Sequence, residues 1–392
     1  MNLNDTPSSE RAHIGLFGRT NVGKSSLINA LTGQKTSIVS EVQGTTTDPV
    51  SKSMELLPAG PVVITDTAGL DDTGTLAEER ICQTRRILNQ SDLALIVTDS
   101  PSLTKCENDI LESVKKLSIP YILVQNKCDE SSSSAGDAAD SIQVSALTGH
   151  NINQLKDFIA ARLNSSRSDK KLVADLIKPG DLIVLVVPID KAAPKGRLIL
   201  PQQMTIREIL DTGAIAVTLK EDSLASYLKA SPQKPAMVIT DSQAFGKVSK
   251  LTPNDIPLTS FSILMARYKG FLEQSIQAVK KLNSITPADK ILISEGCTHH
   301  RQCGDIGSQK IPAWLKEKLG FMPQIEFTSG IQFTDEPAKY ALIIHCGGCM
   351  LNEREMQARS RLCKQANVPM TNYGILISSL HGILERAIKP LS

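Results

Sequence analysis

The stretch "HIGLFGRTNVGKSSLINALTG" (residues 13–33) decides the fold. Gly18 to Ser25 fits G-x-x-x-x-G-K-[ST]; it follows the strand-like "HIGLF" and opens the helix-like "SSLINALTG". In that context successive backbone N–H groups curl around phosphate oxygens, and the helix N-terminus adds its positive end. Gly18, Asn21, Val22, Gly23, Lys24, Ser25 and Ser26 are the candidate phosphate contacts. Lys24 would reach the β- and γ-phosphates, and the Ser25 hydroxyl would bind Mg²⁺.

Outward from this loop, residues 12–165 alternate strand-like and helix-like stretches, as a parallel sheet with crossover helices requires. The strand candidates are "HIGLFG", "PVVITDT", "LALIVTDS" and "YILVQNK". Four further elements follow in the order a GTPase needs. "GTTTD" (44–48) offers Thr45 and Thr46, with the Thr46 hydroxyl for Mg²⁺ and the γ-phosphate. "DTAG" (66–69) places Asp66 at the Mg²⁺ shell and the Gly69 N–H near the γ-phosphate. "NKCD" (126–129) ends a strand and supplies Asn126, Lys127 and Asp129 to the base. "SAL" (Ser145, Ala146, Leu147) would support guanine through backbone N–H groups. A buried Asp129 carboxylate can accept from guanine N1 and N2, whereas adenine would leave it unsatisfied; that argues GTP over ATP.

The polar "NSSRSDKK" (164–171) has the composition of a linker. A second segment, near 172–262, has strands such as "GDLIVLVVPI", "AIAVTLK" and "AMVITD", without cysteine or histidine. A third α/β segment, 263–392, begins with a long helix candidate around 263–283 and continues with "KILISEGC", "QIEFTSG", "YALIIHC" and "NYGILISS" read as strands. The fold class expected is therefore α/β: a P-loop GTPase domain (1–167), a small middle α/β domain and a C-terminal α/β domain.

The balance of 43 Lys+Arg against 41 Asp+Glu gives no net basic field, so a nucleic-acid partner is not expected. The N-terminal "MNLNDTPSSERAH" lacks a signal-peptide apolar stretch, and "LIVLVVPI" is far short of the roughly 20 residues that span a bilayer. A cytoplasmic chain with no membrane association is predicted, where disulfides are disfavoured. Cys82, Cys106 and Cys363 then read as small buried hydrophobes in helices, and Cys128 as passive. His13, His150 and His381 read as structural.

The remaining candidates lie in "CTHH" (297–300), Cys303 and "HCGGC" (345–349). Cys297 and Cys346 each follow a strand. If those strands are neighbours, both thiols emerge at carboxyl ends, where α/β folds gather ligands. Gly347 and Gly348 let Cys346 and Cys349 face one centre. Cys297, Cys346 and Cys349 with a histidine would satisfy zinc, and soft thiolates equally suit an iron–sulfur cluster. His299 and His345 are possible fourth ligands, with His300 and Cys303 outside the first shell.

The nucleotide motifs resemble the translation-factor-related GTPases, in the branch that includes Era-like and tRNA-modifying enzymes. That resemblance implies a potassium ion near Asn21. Leu70 occupies the position where Ras-like relatives carry a water-orienting glutamine, so isolated hydrolysis is expected to be slow. Adding "GRLILPQQMTIREILD" (196–211) and C-x-H…H-C-x-x-C, the whole chain resembles the FeFe-hydrogenase maturation GTPases, the HydF family. The resemblance implies a 4Fe–4S cluster on Cys297, Cys346 and Cys349, and a middle dimerisation domain that makes a homodimer. It further implies a scaffold role: radical-SAM maturation enzymes build a transient two-iron precursor that passes to FeFe-hydrogenase. The alternative is an Era-like GTPase of ribosome assembly or tRNA modification with structural zinc.

Overall fold

A computed structural model describes residues 6–33, 50–69, 77–129, 140–166, 170–188, 198–297 and 305–391. The chain divides into two compact units, Met1–Ser168 and Asp169–Ser392.

The first unit is built on a six-stranded sheet ordered β2-β3-β1-β4-β5-β6. Its strands are β1 (Ala12–Phe17), β2 (Ser51–Leu56), β3 (Gly60–Asp66), β4 (Leu93–Thr98), β5 (Tyr121–Gln125) and β6 (Ser141–Gln143). All neighbours are parallel except β2, which pairs antiparallel with β3. Central β4 is buried along its whole length, as a strand covered on both faces must be. "SKSMEL" at the β2 edge instead alternates exposed and part-buried residues, the pattern of a strand with one wet face. Neither β2 nor β6 was expected from apolar runs, because β2 is mostly polar and β6 is only three residues long.

The second unit contains two four-stranded parallel sheets. One is ordered β10-β9-β7-β8, from β7 (Leu182–Val186), β8 (Ile215–Leu219), β9 (Met237–Thr240) and β10 (Leu258–Ser260). The other is ordered β12-β11-β13-β14, from β11 (Lys290–Glu295), β12 (Gln324–Ser329), β13 (Leu342–His345) and β14 (Met370–Asn372). Glu208, on the helix Leu200–Asp211, takes the N–H groups of Leu172, Val173 and Ala174 on its carboxylate and so pins the entering chain. The helix Phe261–Tyr268 serves both cores: Phe261, Leu264 and Met265 pack under the first sheet, and Ile263 packs under the second. An expected boundary at 262–263 therefore falls inside this helix.

Two expectations change here. "NYGILISS" is a helix (Tyr373–Leu380), not a strand; Asn372 caps it by accepting from the Ile375 N–H at 2.9 Å. Its apolar run is buried nearly all round, so periodicity alone could not separate the two forms. The single long helix around 263–283 is broken. Gly270 adopts a left-handed φ of 77°, and Phe271 N–H turns back to the Ala266 carbonyl. A second helix, Leu272–Val279, starts afresh.

Candidate functional site

The first site sits at the carboxyl ends of β1, β3 and β5. Asn21 (φ 65°) and Gly23 (φ 89°) take left-handed backbone conformations that curl the loop, and Lys24–Thr32 begins as helix directly behind it. Three glycines of the site, Gly18, Gly23 and Gly69, are sterically required, Gly23 because a Cβ there would lie 2.3 Å from Asn126 Nδ2. A Cβ on Gly18 would lie 2.3 Å from the Val97 carbonyl oxygen, and one on Gly69 would lie 1.9 Å from Thr20 Oγ1. Lys24 is buried, its Nζ donating to the Gly18 and Arg19 carbonyls at 2.9 and 2.8 Å. Val22 is buried, Ser26 half-buried, and Asn21 stands exposed on the loop.

Ser25 Oγ donates to Asp66 Oδ2 at 2.6 Å. Asp66 Oδ1 is buried without a hydrogen-bond partner. Burial pushes the Asp66 carboxyl above its ordinary range, opposed by the Ser25 hydrogen bond and the Lys24 charge. A buried carboxylate oxygen with nothing to accept, beside a serine hydroxyl, fits a hard divalent cation in donor type. Thr45, Thr46 and Leu70 lie outside the described residues.

At the base end, Asn126 is buried and works inward. Its Nδ2 donates to the Val22 carbonyl at 2.9 Å, and its Oδ1 accepts from Ala146 N–H at 3.0 Å. Asp129 is exposed rather than buried, held below the usual carboxylate range chiefly by a hydrogen bond from Ser145. The specificity argument then applies only once a base covers it. Leu147 is 85% exposed, so its place beside a base rests on backbone. Sequence reading missed Arg19 and Asp99. Arg19 bonds Asp99 at 2.7 Å and the fully buried Glu107 at 3.2 Å, while Lys127 approaches the other Asp99 oxygen at 3.7 Å. Asp99 thus ties the phosphate loop to the base loop.

The second site lies on the third sheet. β11 and β13 are adjacent and parallel, with Ser294 opposite His345, so Cys297 and Cys346 leave at the same sheet edge. Cys346 Sγ accepts N–H bonds from Gly296 at 3.0 Å and Gly348 at 3.3 Å. Burial, then the neighbouring Cys349, pushes the Cys346 thiol up to about 11. Burial also raises Cys297, followed by the charges of Cys346, Cys349, Glu295 and Asp305. The three thiols therefore sense one another. Among the described residues, however, no group of three or more His, Cys, Asp or Glu side chains is drawn close enough to hold one metal ion. In donor chemistry the set fits a soft metal centre: three thiols, with backbone N–H groups already aimed at sulfur.

His345 is not arranged as a fourth ligand. Its Nδ1 faces the Cys346 carbonyl at 2.9 Å and its Nε2 faces Arg359 Nη1 at 3.0 Å, so both ring nitrogens are engaged. Burial, then the Arg359 charge, pushes the imidazole down to about 3, so it is neutral: Nδ1–H donates and Nε2 accepts. Arg359 is itself buried, paired with Glu355 at 2.8 Å and stacked 4.9 Å from the Phe333 ring. His299, His300 and Cys303 lie outside the described residues. Buried Glu295, bonded by the Tyr373 hydroxyl at 3.1 Å, was also missed, although an acid directly before "GC" was the available signal. Of the solitary cysteines, Cys363 is buried, but Cys82 is exposed, not a buried hydrophobe, because its helix turns it outward.

Residues 13–127 match the 50S ribosome-binding GTPase family. Residues 172–270 match the hydrogen maturase F dimerization domain, and residues 273–390 its tetramerization domain. The tRNA modification GTPase MnmE of Chromobacterium violaceum is 37% identical over 167 residues, covering 41% of this chain and 37% of the relative. GTPase Der of Wolinella succinogenes is 36% identical over 174 residues, covering 40% and 36%. The chain thus spans little more than a third of the length of these relatives. A solved structure of Era from Aquifex aeolicus is 18% identical with a TM-score of 0.35, covering 55% of this chain and 97% of that one.

Proposed function

Because the chain belongs to the hydrogen maturase F family, we propose that it is a GTP-binding and GTP-hydrolysing scaffold for hydrogenase maturation. It carries a 4Fe–4S cluster on Cys297, Cys346 and Cys349, receives a two-iron precursor made by radical-SAM enzymes, and passes it to FeFe-hydrogenase. The dimerization and tetramerization domains support self-association.

For GTP, the residues divide the work. Asn126 and Asp99 hold the loops, Lys24 meets the β/γ-phosphates, and Asp129 accepts from guanine. In hydrolysis water attacks the γ-phosphorus and the bond to the bridging oxygen of GDP breaks. Mg²⁺, held by Ser25, Asp66 and Thr46, would neutralise phosphate charge, and K⁺ held by Asn21 would add to it. The observation that carries the nucleotide reading is the Ser25–Asp66 contact beside an unpartnered, buried Asp66 oxygen. No described helix is long and apolar enough to cross a membrane.

Anaerobic reconstitution followed by iron and sulfide analysis, with GTP turnover measured in KCl and NaCl at equal ionic strength, tests the proposal. A brown protein with acid-labile sulfide and faster turnover in KCl is expected. Zinc in place of iron and sulfide would favour a second reading suggested by the MnmE relative and the ribosome-binding GTPase match: a GTPase of tRNA modification or ribosome assembly with a structural metal.

A further inference from the structure

Glu107 is a fully buried carboxylate in the first turn of the helix Lys105–Lys116. Its two oxygens do different work. Oε2 accepts from the Thr104 N–H at 2.8 Å and from the Thr104 hydroxyl at 2.9 Å, which closes the helix N-terminus as a capping box. Oε1 accepts from Arg19 Nε at 3.2 Å, across 88 positions of sequence. Arg19 belongs to the phosphate loop, and its Nη2 donates to Asp99 Oδ1 at 2.7 Å, just past the end of β4.

The cap does not need this charge. Glutamine at the same helical position closes the box as well, without the cost of burying a carboxylate. The helix N-terminus favours an anion too, but that gain is small beside the burial cost. A fully buried carboxylate calls for a cation, and Arg19 meets it. The consequence runs through the backbone of Arg19. Its carbonyl accepts from Lys24 Nζ at 2.8 Å, beside the Gly18 carbonyl at 2.9 Å. One residue thus carries the Lys24 ammonium on its main chain and the Glu107 anchor on its side chain. Asn21, two positions on, takes a left-handed φ of 65°, a conformation that persists only where the surroundings hold it.

We propose that Glu107 is a positioning residue for nucleotide binding: it holds the Arg19 side chain and so sets the loop backbone that presents Lys24 to the phosphates. This rests on the nucleotide reading above. Residue 107 lies outside every segment of the nucleotide motifs, in the helix that follows β4. Cap and ion pair can be separated, because glutamine keeps the first and drops the second.

Wild type, Glu107→Gln, Arg19→Gln and the double variant are compared as full chains for Tm and for affinity towards GDP with Mg²⁺, the latter well below every Tm. Glu107→Gln should weaken GDP binding by about threefold or more. In the Arg19→Gln background the same change should leave the affinity unmoved, since no anchor remains to lose. A merely structural role would lower Tm and leave the affinity of the folded chain alone. A folded Glu107→Gln chain with a smaller loss overturns the proposal, as does an undiminished loss in the Arg19→Gln background. If the Glu107→Gln chain does not fold, the other two decide. Arg19→Gln and the double variant should then bind GDP equally and more weakly than wild type; unequal affinities, or wild-type affinity in both, overturn the proposal. A wild-type chain that takes up no GDP would instead sink the nucleotide reading itself, a result visible in its own arm.

Discussion

The ends of β1 and β13 solve a similar problem with opposite states of readiness. Both place a glycine turn at the carboxyl end of a buried parallel strand. At the phosphate loop the side chains are already committed: Lys24 is folded onto two carbonyls, Arg19 is braced by Asp99 and Glu107, and Ser25 is bonded to Asp66. At the cysteine turn the backbone is set, but burial and mutual repulsion disfavour the thiolates of Cys297 and Cys346. The first site receives a ligand with its donors in place. On the cluster reading proposed above, the second would have to exchange protons for metal, so its occupancy would depend on pH and on metal supply.

The largest effects come from removing the central residue of each site. Lys24→Ala should lower GTP turnover by about 10²-fold or more while leaving iron per chain at the wild-type level. Cys346→Ser should lose iron and sulfide while retaining wild-type GTP turnover. If a folded Cys346→Ser chain also loses GTPase activity, the two sites are not independent and the contrast breaks.

Next in size is nucleotide choice. Asp129→Asn replaces one of two acceptors with a donor, so GTP affinity should fall on the order of tenfold or more. Xanthosine triphosphate should gain correspondingly. Competition binding decides it, and equal wild-type affinity for ATP and GTP would refute the guanine reading.

A smaller effect is expected at His345. His345→Gln weakens the Arg359–His345–Cys346 brace, and uptake of iron should need about tenfold more metal, as other indirect supports of metal sites do. The EPR signal of the loaded variant should persist. Complete loss of iron from a folded variant would mean that His345 turns to the metal after all.

The smallest effect concerns Asp66. Its folded value is raised, so its contribution to stability is full below the ordinary carboxylate range and is lost as pH rises through the folded value. At pH 8 without Mg²⁺, Asp66→Asn should therefore have an equal or higher Tm than wild type. Adding Mg²⁺ and GTP should raise the wild-type Tm and leave the variant nearly unmoved. A variant less stable than wild type in the metal-free state would show that the carboxylate braces the loop rather than waiting for a cation.

What could be read from the sequence was local. Gly18–Ser25, the strands before them and the C-x-x-C spacing declare themselves within a few residues. "NYGILISS" misled because an apolar run buried on all sides carries no period, and the decisive cap, Asn372, is a single polar residue at its start. The 263–283 helix misled because one glycine at 270 ends it. Lys269 and Arg359 were invisible for a different reason. Lys269 grips residues 79 and 82 positions away, and Arg359 reaches back 14 and 29, so nothing local marks either as other than a surface charge.

Asn126 also bears on how the chain is made. It ties Val22, 104 residues earlier, to Ala146, 20 residues later. A nascent chain that has emerged only as far as β4 owns the whole G-x-x-x-x-G-K-S sequence but lacks the strut that braces it. The loop becomes competent late, after β5 has docked and Ala146 has followed. Nucleotide capture thus reports completion of the sheet during synthesis, and truncations ending before residue 146 should emerge with the motif intact and the pocket slack.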